Sequence, residues 1–320
     1  IKDVQLGRRG EPHSVTYEID REPRSFQTRW IADASGRRAI LKRQLGMQKT
    51  SIHNGNAAWF RFNNHIKVDD WSNDESWRQG HNGKTARWYS TNHFMGQGYW
   101  VWLIPLSSGA TSIGIVADEE IHPLSTFNSL EKAMGWLQEH EPQCAERIGA
   151  ASGEILDFIA LKHYSHDCKQ VFSSNRWCLT GEAGVFLDPF YSPGSDFIAM
   201  SNTFICNLIS RDLRGEPFAT QATFFNDLYL SFFRNTALIF QDQYRLFGHP
   251  QIMPLKIVWD FATYWTFMAF LFFQGKLCDF TAFLGMRDSL DRIGALNAFM
   301  QRFFLDWHTL SPSAEVSGRI

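Results

Sequence analysis

Two short strings restrict this chain more than anything else in it: Trp100-Val101-Trp102-Leu103-Ile104-Pro105 and Phe186-Leu187-Asp188-Pro189-Phe190-Tyr191-Ser192-Pro193-Gly194. The first fits W-x-W-x-I-P. Side chains alternate across a strand, so both indoles leave the same face of a sheet. The second fits F-x-x-P-x-x-S-x-G, a loop of proline, serine and glycine, the residues that set turns. Either string alone is compatible with ordinary core packing or loop chemistry. Together, in this order, they specify eight positions.

The surrounding pattern mixes sheet and helix. Residues 14–20 and 27–33 read as strands with a turn at 21–25, the second ending in Asp33-Ala34-Ser35-Gly36-Arg37 before a basic helix that closes at Leu45-Gly46. In that strand-to-helix turn Gly36 supplies backbone freedom. Residues 50–155 read as sheet-rich. Strands at 98–106 and 110–117 are joined through Ser107-Ser108-Gly109 as a hairpin, and a helix over 127–140 is closed by Glu141-Pro142. Trp71, Trp77 and Trp88 lie in polar sequence, as pocket walls or as satellites of the core. Residues 176–180 read as a short buried strand leading into Gly181-Glu182-Ala183-Gly184, and residues 194–209 as a helix of small and apolar side chains. Beyond Gly215-Glu216-Pro217 helical patterns run over 218–245, 252–275 and 279–305. Between residues 257 and 273 the one charge is Asp260. That stretch falls short of the about 20 residues of a membrane span, and Asp260, Thr263 and Thr266 favour a buried helix with aromatic contacts on all sides.

Charge and cysteine usage narrow the classes. With 31 basic and 33 acidic side chains and a net charge of −2, no electrostatic footprint for nucleic acid exists. The five cysteines (Cys144, Cys168, Cys178, Cys206, Cys278) are odd in number and form no C-x-x-C, which predicts a reducing cytoplasm and no structural zinc. His163 and His166 have H-x-x-H spacing, but no acidic or sulfur partner stands at ligand spacing, so no metal is expected.

The two strings, with the D-A-S-G-R and G-E-A-G segments around them, resemble the flavin-dependent halogenases of the FAD-dependent monooxygenase superfamily over about residues 10–215. The resemblance implies an α/β protein with the glutathione-reductase-like, aromatic-hydroxylase-like FAD-binding fold, an inserted β-sheet substrate domain and a helical C-terminal region. Residues 1–48 and 156–214 would form the FAD-binding domain, 49–155 the sheet-rich substrate domain and 215–320 the helical domain. Such enzymes begin with a strand, a glycine-rich turn and a helix that hold the FAD diphosphate. No G-x-G-x-x-G occurs here and the first residue is Ile1. The expectation is an N-terminally truncated fragment, with a βαβ unit of about 30 residues and the halogen-relaying lysine lying upstream.

The resemblance also assigns roles. Asp33, Gly36 and Gly181 would sit at the cofactor, and Glu182 would accept from the ribityl hydroxyls where aspartate is commoner, with one more methylene of reach. Phe186, Pro189 and Gly194 would line the flavin, the helix starting at Gly194 aiming its amides at the electron-rich pyrimidine end. Trp100, Trp102, Ile104 and Pro105 would wall flavin from substrate. Ser192 would hold the catalytic loop, the halide resting on the amides of the next two residues, here Pro193 and Gly194. Proline has no N–H, so Gly194, Ser195 or a water would have to serve. Tyr191 stands where tryptophan halogenases carry glutamate, which points to phenols, pyrroles or carrier-bound chains. Asp196 would bind substrate or cap the helix. The implied cofactors are FAD, reduced by a separate flavin reductase because no NAD(P)H signature is seen, and a halide ion. The implied reaction is halogenation of an aromatic or carrier-bound substrate in secondary metabolism. Two other readings stay open: a flavin monooxygenase or reductase without halide use, and a non-catalytic binding remnant.

Overall fold

The computed structural model describes residues 1–8, 10–78 and 86–311. The chain divides into two compact units, the first from Ile1–His53, Ser165–Phe240 and Val258–Gln301, the second from Asn54–Tyr164, Gln241–Ile257 and Arg302–Ile320. The helical run after residue 214 is thus shared between the two units.

In the first unit, β1 (Asp3–Gln5), β2 (His13–Ile19) and β3 (Glu22–Thr28) form an antiparallel sheet in that order. Asp20 and Arg21 both adopt positive φ (53° and 68°), the geometry of a two-residue hairpin turn. The turn read at 21–25 therefore shrinks to two residues. The strand read at 27–33 splits into β3 and a separate β4 (Ile31–Asp33). Its burial explains the misreading: β3 is exposed along nearly its whole length and has no apolar face to alternate. α1 (Ile40–Gln44) and β5 (Gln48–Thr50) follow.

The second unit is built on β6 (Gly55–Phe62), β7 (Asn92–Gly96), β8 (Tyr99–Pro105), β9 (Thr111–Asp118) and β10 (Ile155–Leu161), an antiparallel sheet in the order β10-β6-β9-β8-β7. A short α2 (Glu75–Arg78) precedes β7; α3 (Leu130–His140) and α4 (Pro142–Ala150) lie between β9 and β10. One sheet face sends Val101, Leu103, Ile113 and Ile115 into a core with Trp136, Leu137 and Ile148 from the helices. Trp71 belongs to this core and Trp77 and Trp88 pack against it, so all three are satellites of the core.

The other face carries the W-x-W pair. The rings of Trp100 and Trp102 lie 5.6 Å apart and Trp59 sits 6.3 Å from Trp102. Trp100 is buried and donates from Nε1 to the Tyr244 hydroxyl at 2.8 Å. Trp102 rests on Gly114, where an added Cβ would come within 2.2 Å of the indole. Gly114→Val is therefore expected to expel Trp102 and to cost about 1–3 kcal/mol as overpacking. Denaturant unfolding and the near-ultraviolet circular dichroism of the indoles measure it, and an unchanged spectrum and midpoint would refute this packing.

Returning to the first unit, β11 (His166–Cys168) pairs with β5, and β12 (Phe172–Ser173) with β13 (Trp177–Leu179), which lies parallel to β4. The partners Ile31↔Trp177 and Asp33↔Leu179 bring the ends of β4 and β13 level. The helices are α5 (Pro193–Leu213), α6 (Ala219–Ala237), α7 (Ile252–Tyr264), α8 (Phe270–Phe273) and α9 (Phe280–Leu310), with a π turn at Trp265–Ala269 between α7 and α8. The helix read over 218–245 stops at Ala237, because Asp242 turns left-handed (φ 60°) into a 3₁₀ turn at Gln243–Leu246. Among the described residues no helix is long and apolar enough to cross a membrane.

The last turn of α5 is tied back to the β3–β4 segment by Asp212. Its carboxylate accepts two bonds from Arg176 (2.9 and 3.0 Å) and one from the Trp30 indole (2.8 Å), and pairs with Arg29 at 2.8 Å. The Arg176 bonds above all, with Trp30 and Arg29, hold the Asp212 pKa at about 2. A depressed carboxyl stabilises the fold above its ordinary pKa and loses that contribution as pH falls through the folded value. Asp212→Asn is thus expected to remove about 1–2 kcal/mol of the pH-dependent stability that the native chain loses between pH 4 and 2. Melting temperatures across that window test it; parallel acid limbs would contradict it.

Candidate functional site

Two glycine turns leave adjacent parallel strands at the same end. β4 runs into Ser35-Gly36 and β13 into Gly181-Glu182-Ala183, and the Thr180 amide donates to the Asp33 carbonyl at 3.0 Å. Gly36 and Gly181 have φ of 60° and 58°, a left-handed backbone that glycine adopts without penalty. Ligands of parallel sheets bind outside these carboxyl ends. The Asp33 side chain is buried, and both its oxygens accept amides, Ser35 at 2.9 Å and Leu41 at 2.8 Å, so it shapes its turn from within. Glu182 is half-buried, its side chain 37% exposed and 3.7 Å from Arg37.

Beneath the turns lies a lysine that the sequence did not single out. Lys42 is 3% exposed, and its Nζ donates to the Gly184 carbonyl at 2.6 Å and to His166 Nδ1 at 2.8 Å. Burial lowers the Lys42 pKa. Burial first, then Lys42, Arg37 and Arg43, takes His166 down to about 4, so its neutral ring accepts. His166 is thereby committed to Lys42; among the described residues no cluster of three or more His, Cys, Asp or Glu side chains could hold a metal ion. The available signal was Leu41-Lys42 on the inward face of a very short helix.

The F-x-x-P-x-x-S-x-G loop is fixed at Asp188. One carboxylate oxygen accepts the Phe190 amide at 2.8 Å; the other lies 2.6 Å from His53 Nε2, with both side chains buried. Phe186 is bridged to His166 through amides at 2.8 and 3.0 Å. Tyr191 and Ser192 then turn left-handed in succession (φ 65° and 57°), and Pro193 starts α5. Proline pushes the preceding residue towards extended backbone, so Ser192 holds a strained conformation of the kind that collects at functional sites. The Ser192 amide donates to Pro189 at 3.0 Å and that of Ser195 to Ser192 at 3.3 Å. Pro193 has no amide hydrogen, and among the described residues no acceptor takes the Gly194 N–H.

This loop opens on a cavity of about 370 Å³, walled by Tyr191, Ser192, Pro193, Ser195 and Asp196 on one side and by α6, α7, the π turn and α9 on the others. Its lining is mostly apolar, but one end is polar. Tyr191 donates to Asp260 Oδ2 at 3.1 Å, and Gln301 Nε2 donates to Asp260 Oδ1 at 2.8 Å and to Asn297 Oδ1 at 3.1 Å. Burial, then Asp260, pushes the Tyr191 phenol well above its ordinary range, so it stays a donor. Tyr264 donates to Asp196 at 3.2 Å, and burial raises the pKa of both. The π turn contributes Phe267 and Met268 to the wall. Such a chamber can hold an aromatic ring and orient its polar edge.

The sequence-derived candidates thus fall into three places. Asp33, Gly36, Gly181 and Glu182 meet at the paired turns; Phe186, Pro189, Ser192, Pro193, Gly194 and Ser195 form the strained loop. Trp100, Trp102, Ile104 and Pro105 belong to β8 of the second unit. Nothing in the sequence marks Lys42, His53, Asn297 or Gln301, and Asp260 stands out there only as the lone charge in an apolar helix.

No family model matches the chain. The flavin-dependent halogenase chlA of Dictyostelium discoideum is 30% identical over 255 residues, covering 76% of this chain and 41% of that protein. A 1H-pyrrole-2-carbonyl peptidyl-carrier protein brominase of Pseudoalteromonas luteoviolacea is 23% identical over 223 residues, 69% of this chain and 51% of that protein. The crystal structure of halogenase PltM in complex with phloroglucinol and FAD matches with a TM-score of 0.64 at 17% identity, over 76% of this chain and 48% of that one, a likeness in fold. The chain spans about two fifths of the length of the curated relatives it matches first.

Proposed function

Because the chain belongs to the flavin-dependent halogenase family, we propose that it is part of an FAD-dependent oxidoreductase that uses reduced flavin and O2 to halogenate an aromatic or carrier-bound substrate. One observation carries this furthest: two left-handed glycine turns at the carboxyl ends of adjacent parallel strands share a unit with a strained F-x-x-P-x-x-S-x-G loop that opens on an apolar cavity. Reduced FAD, when bound, would activate O2 for the oxidation of halide. In this reading residues 1–48 and 156–214 supply the FAD-binding part, 49–155 the sheet-rich substrate domain and 215–320 the helical region. Gly36 and Gly181 leave room for the cofactor, and Glu182, half-buried at its turn, accepts from a ribityl hydroxyl. The positive end of α5 faces the flavin and the Gly194 amide the halide. Trp100, Trp102, Ile104 and Pro105 wall the reaction. A separate flavin reductase delivers the electrons, and the setting is the cytoplasm.

Glu182→Ala is expected to weaken FAD binding about tenfold, the value of one hydrogen bond to a charged acceptor. Flavin titration of the intact protein measures it, and unchanged affinity would remove Glu182 from the site. Pro193 favours one second reading, a monooxygenase on the same scaffold. Incubation with a flavin reductase, O2 and bromide separates the two: a product with the bromine isotope pair supports halogenation, and a product heavier by one oxygen supports hydroxylation.

A further inference from the structure

We propose that the cavity behind the motif loop and a second cavity beside it form one elongated site for a two-part ligand, an aromatic ring with a neutral hydrogen-bond donor joined to an apolar chain. The second cavity, about 440 Å³, lies in the same unit and is lined chiefly by Phe224, Leu228, Phe280, Phe283 and Leu284. The two share Phe232, Asn235, Phe267, Leu290 and Gly294. Phe232 and Phe267, which line both, meet edge to face with centroids 4.9 Å apart. Gly294 keeps α9 thin at this point: a Cβ there would already stand 3.3 Å from Asn235 Oδ1.

The ends differ in chemistry. At the inner end Asp196, whose Oδ1 takes the Tyr264 hydroxyl, presents its second carboxyl oxygen as an acceptor, so a phenol hydroxyl or ring N–H is favoured and a ligand carboxylate disfavoured. The outer compartment is walled mainly by phenylalanine and leucine, with Ser231 and Asn235 among them, and at its mouth Arg287 and Asp291 face each other at 4.0 Å, the Arg287 side chain 78% exposed. A chamber of about 370 Å³ is sized for a ring system, and the space beyond Phe232 and Phe267 suits a chain. Each methylene buried there strengthens binding about three- to fourfold.

As a statement about substrate this deepens the halogenase reading and rests on it, but binding needs no flavin, so the two fail separately. The test is calorimetric titration of the flavin-free protein with 4-n-alkylphenols from ethyl to octyl. Affinity is expected to climb about threefold per methylene, and the climb to vanish in Gly294→Leu. Leu284→Glu, which puts a charge on an exposed position of the outer compartment, is expected to remove the climb without touching Phe232 or Phe267 and serves if Gly294→Leu does not fold. 4-Octylbenzoate is expected to bind at least tenfold more weakly than 4-octylphenol. Affinity independent of chain length, an equal climb in the variants, or equal binding of the benzoate would overturn the proposal.

Discussion

Replacing Pro193 by threonine is expected to lower the bromide concentration that half-saturates turnover by about ten- to a hundredfold. The amides of Ser192 and Ser195 are spent inside the loop, and Pro193 offers none, which leaves Gly194 to face an anion. Threonine restores a second donor at the first position of α5. A hydrogen bond to a charged partner is worth about 1.5–3 kcal/mol, and this sets the range. Steady-state halogenation with a flavin reductase and varied bromide reads the effect. Efficient halogenation by the parent at low bromide, unchanged in the variant, would show that the missing N–H has no bearing on halide use. Threonine also frees Ser192 from the demand that proline makes on its predecessor, so the variant is expected to be at least as stable as the parent.

The second large effect falls on stability. Asp188→Ala is expected to cost about 3 kcal/mol and to lower the melting temperature by about 10 °C, because it breaks a buried hydrogen-bonded pair and removes the acceptor of a loop amide at once. It takes away an acceptor that serves His53 and the Phe190 amide together. Asp188→Asn keeps the amide contact and is expected to cost less than half as much. Thermal unfolding of both variants decides the matter, and a shift below 2 °C for Asp188→Ala would mean that the loop is held by other means. Asp188 lies within the nine-residue motif at an unspecified position, yet it anchors the turn that displays the specified ones.

What the sequence revealed follows from how local each signal was. The β8–β9 hairpin was legible because Val101, Leu103, Ile113 and Ile115 alternate with residues of the other face over a short glycine-containing turn. β3 was not, because a strand exposed on both faces carries no period. The loop at 186–194 was recognisable from its proline, serine and glycine, whereas the left-handed pair at Tyr191 and Ser192 depends on tertiary restraint and left no mark of its own. The polar end of the cavity was hidden for another reason: Tyr191, Asp260, Asn297 and Gln301 are brought together by folding from positions up to 110 residues apart. Lys42 was hidden by its neighbours, since a lysine between leucine and arginine reads as part of a solvated basic face until its burial is known.

The π turn at Trp265–Ala269 sets the rotational clock of everything after it. One extra residue in a helical turn advances the following side chains by about 100°. Phe267 and Met268 sit within the turn and face the chamber, while Phe270 and Phe273, just beyond, are 50% and 69% exposed. Deleting a single codon in this stretch would restore α-helical winding and swing the later phenylalanines round the axis, changing which aromatic surface looks inward while every side chain keeps its identity. The length of this one turn is a coarse adjustment on pocket shape, alongside the finer one of substitution.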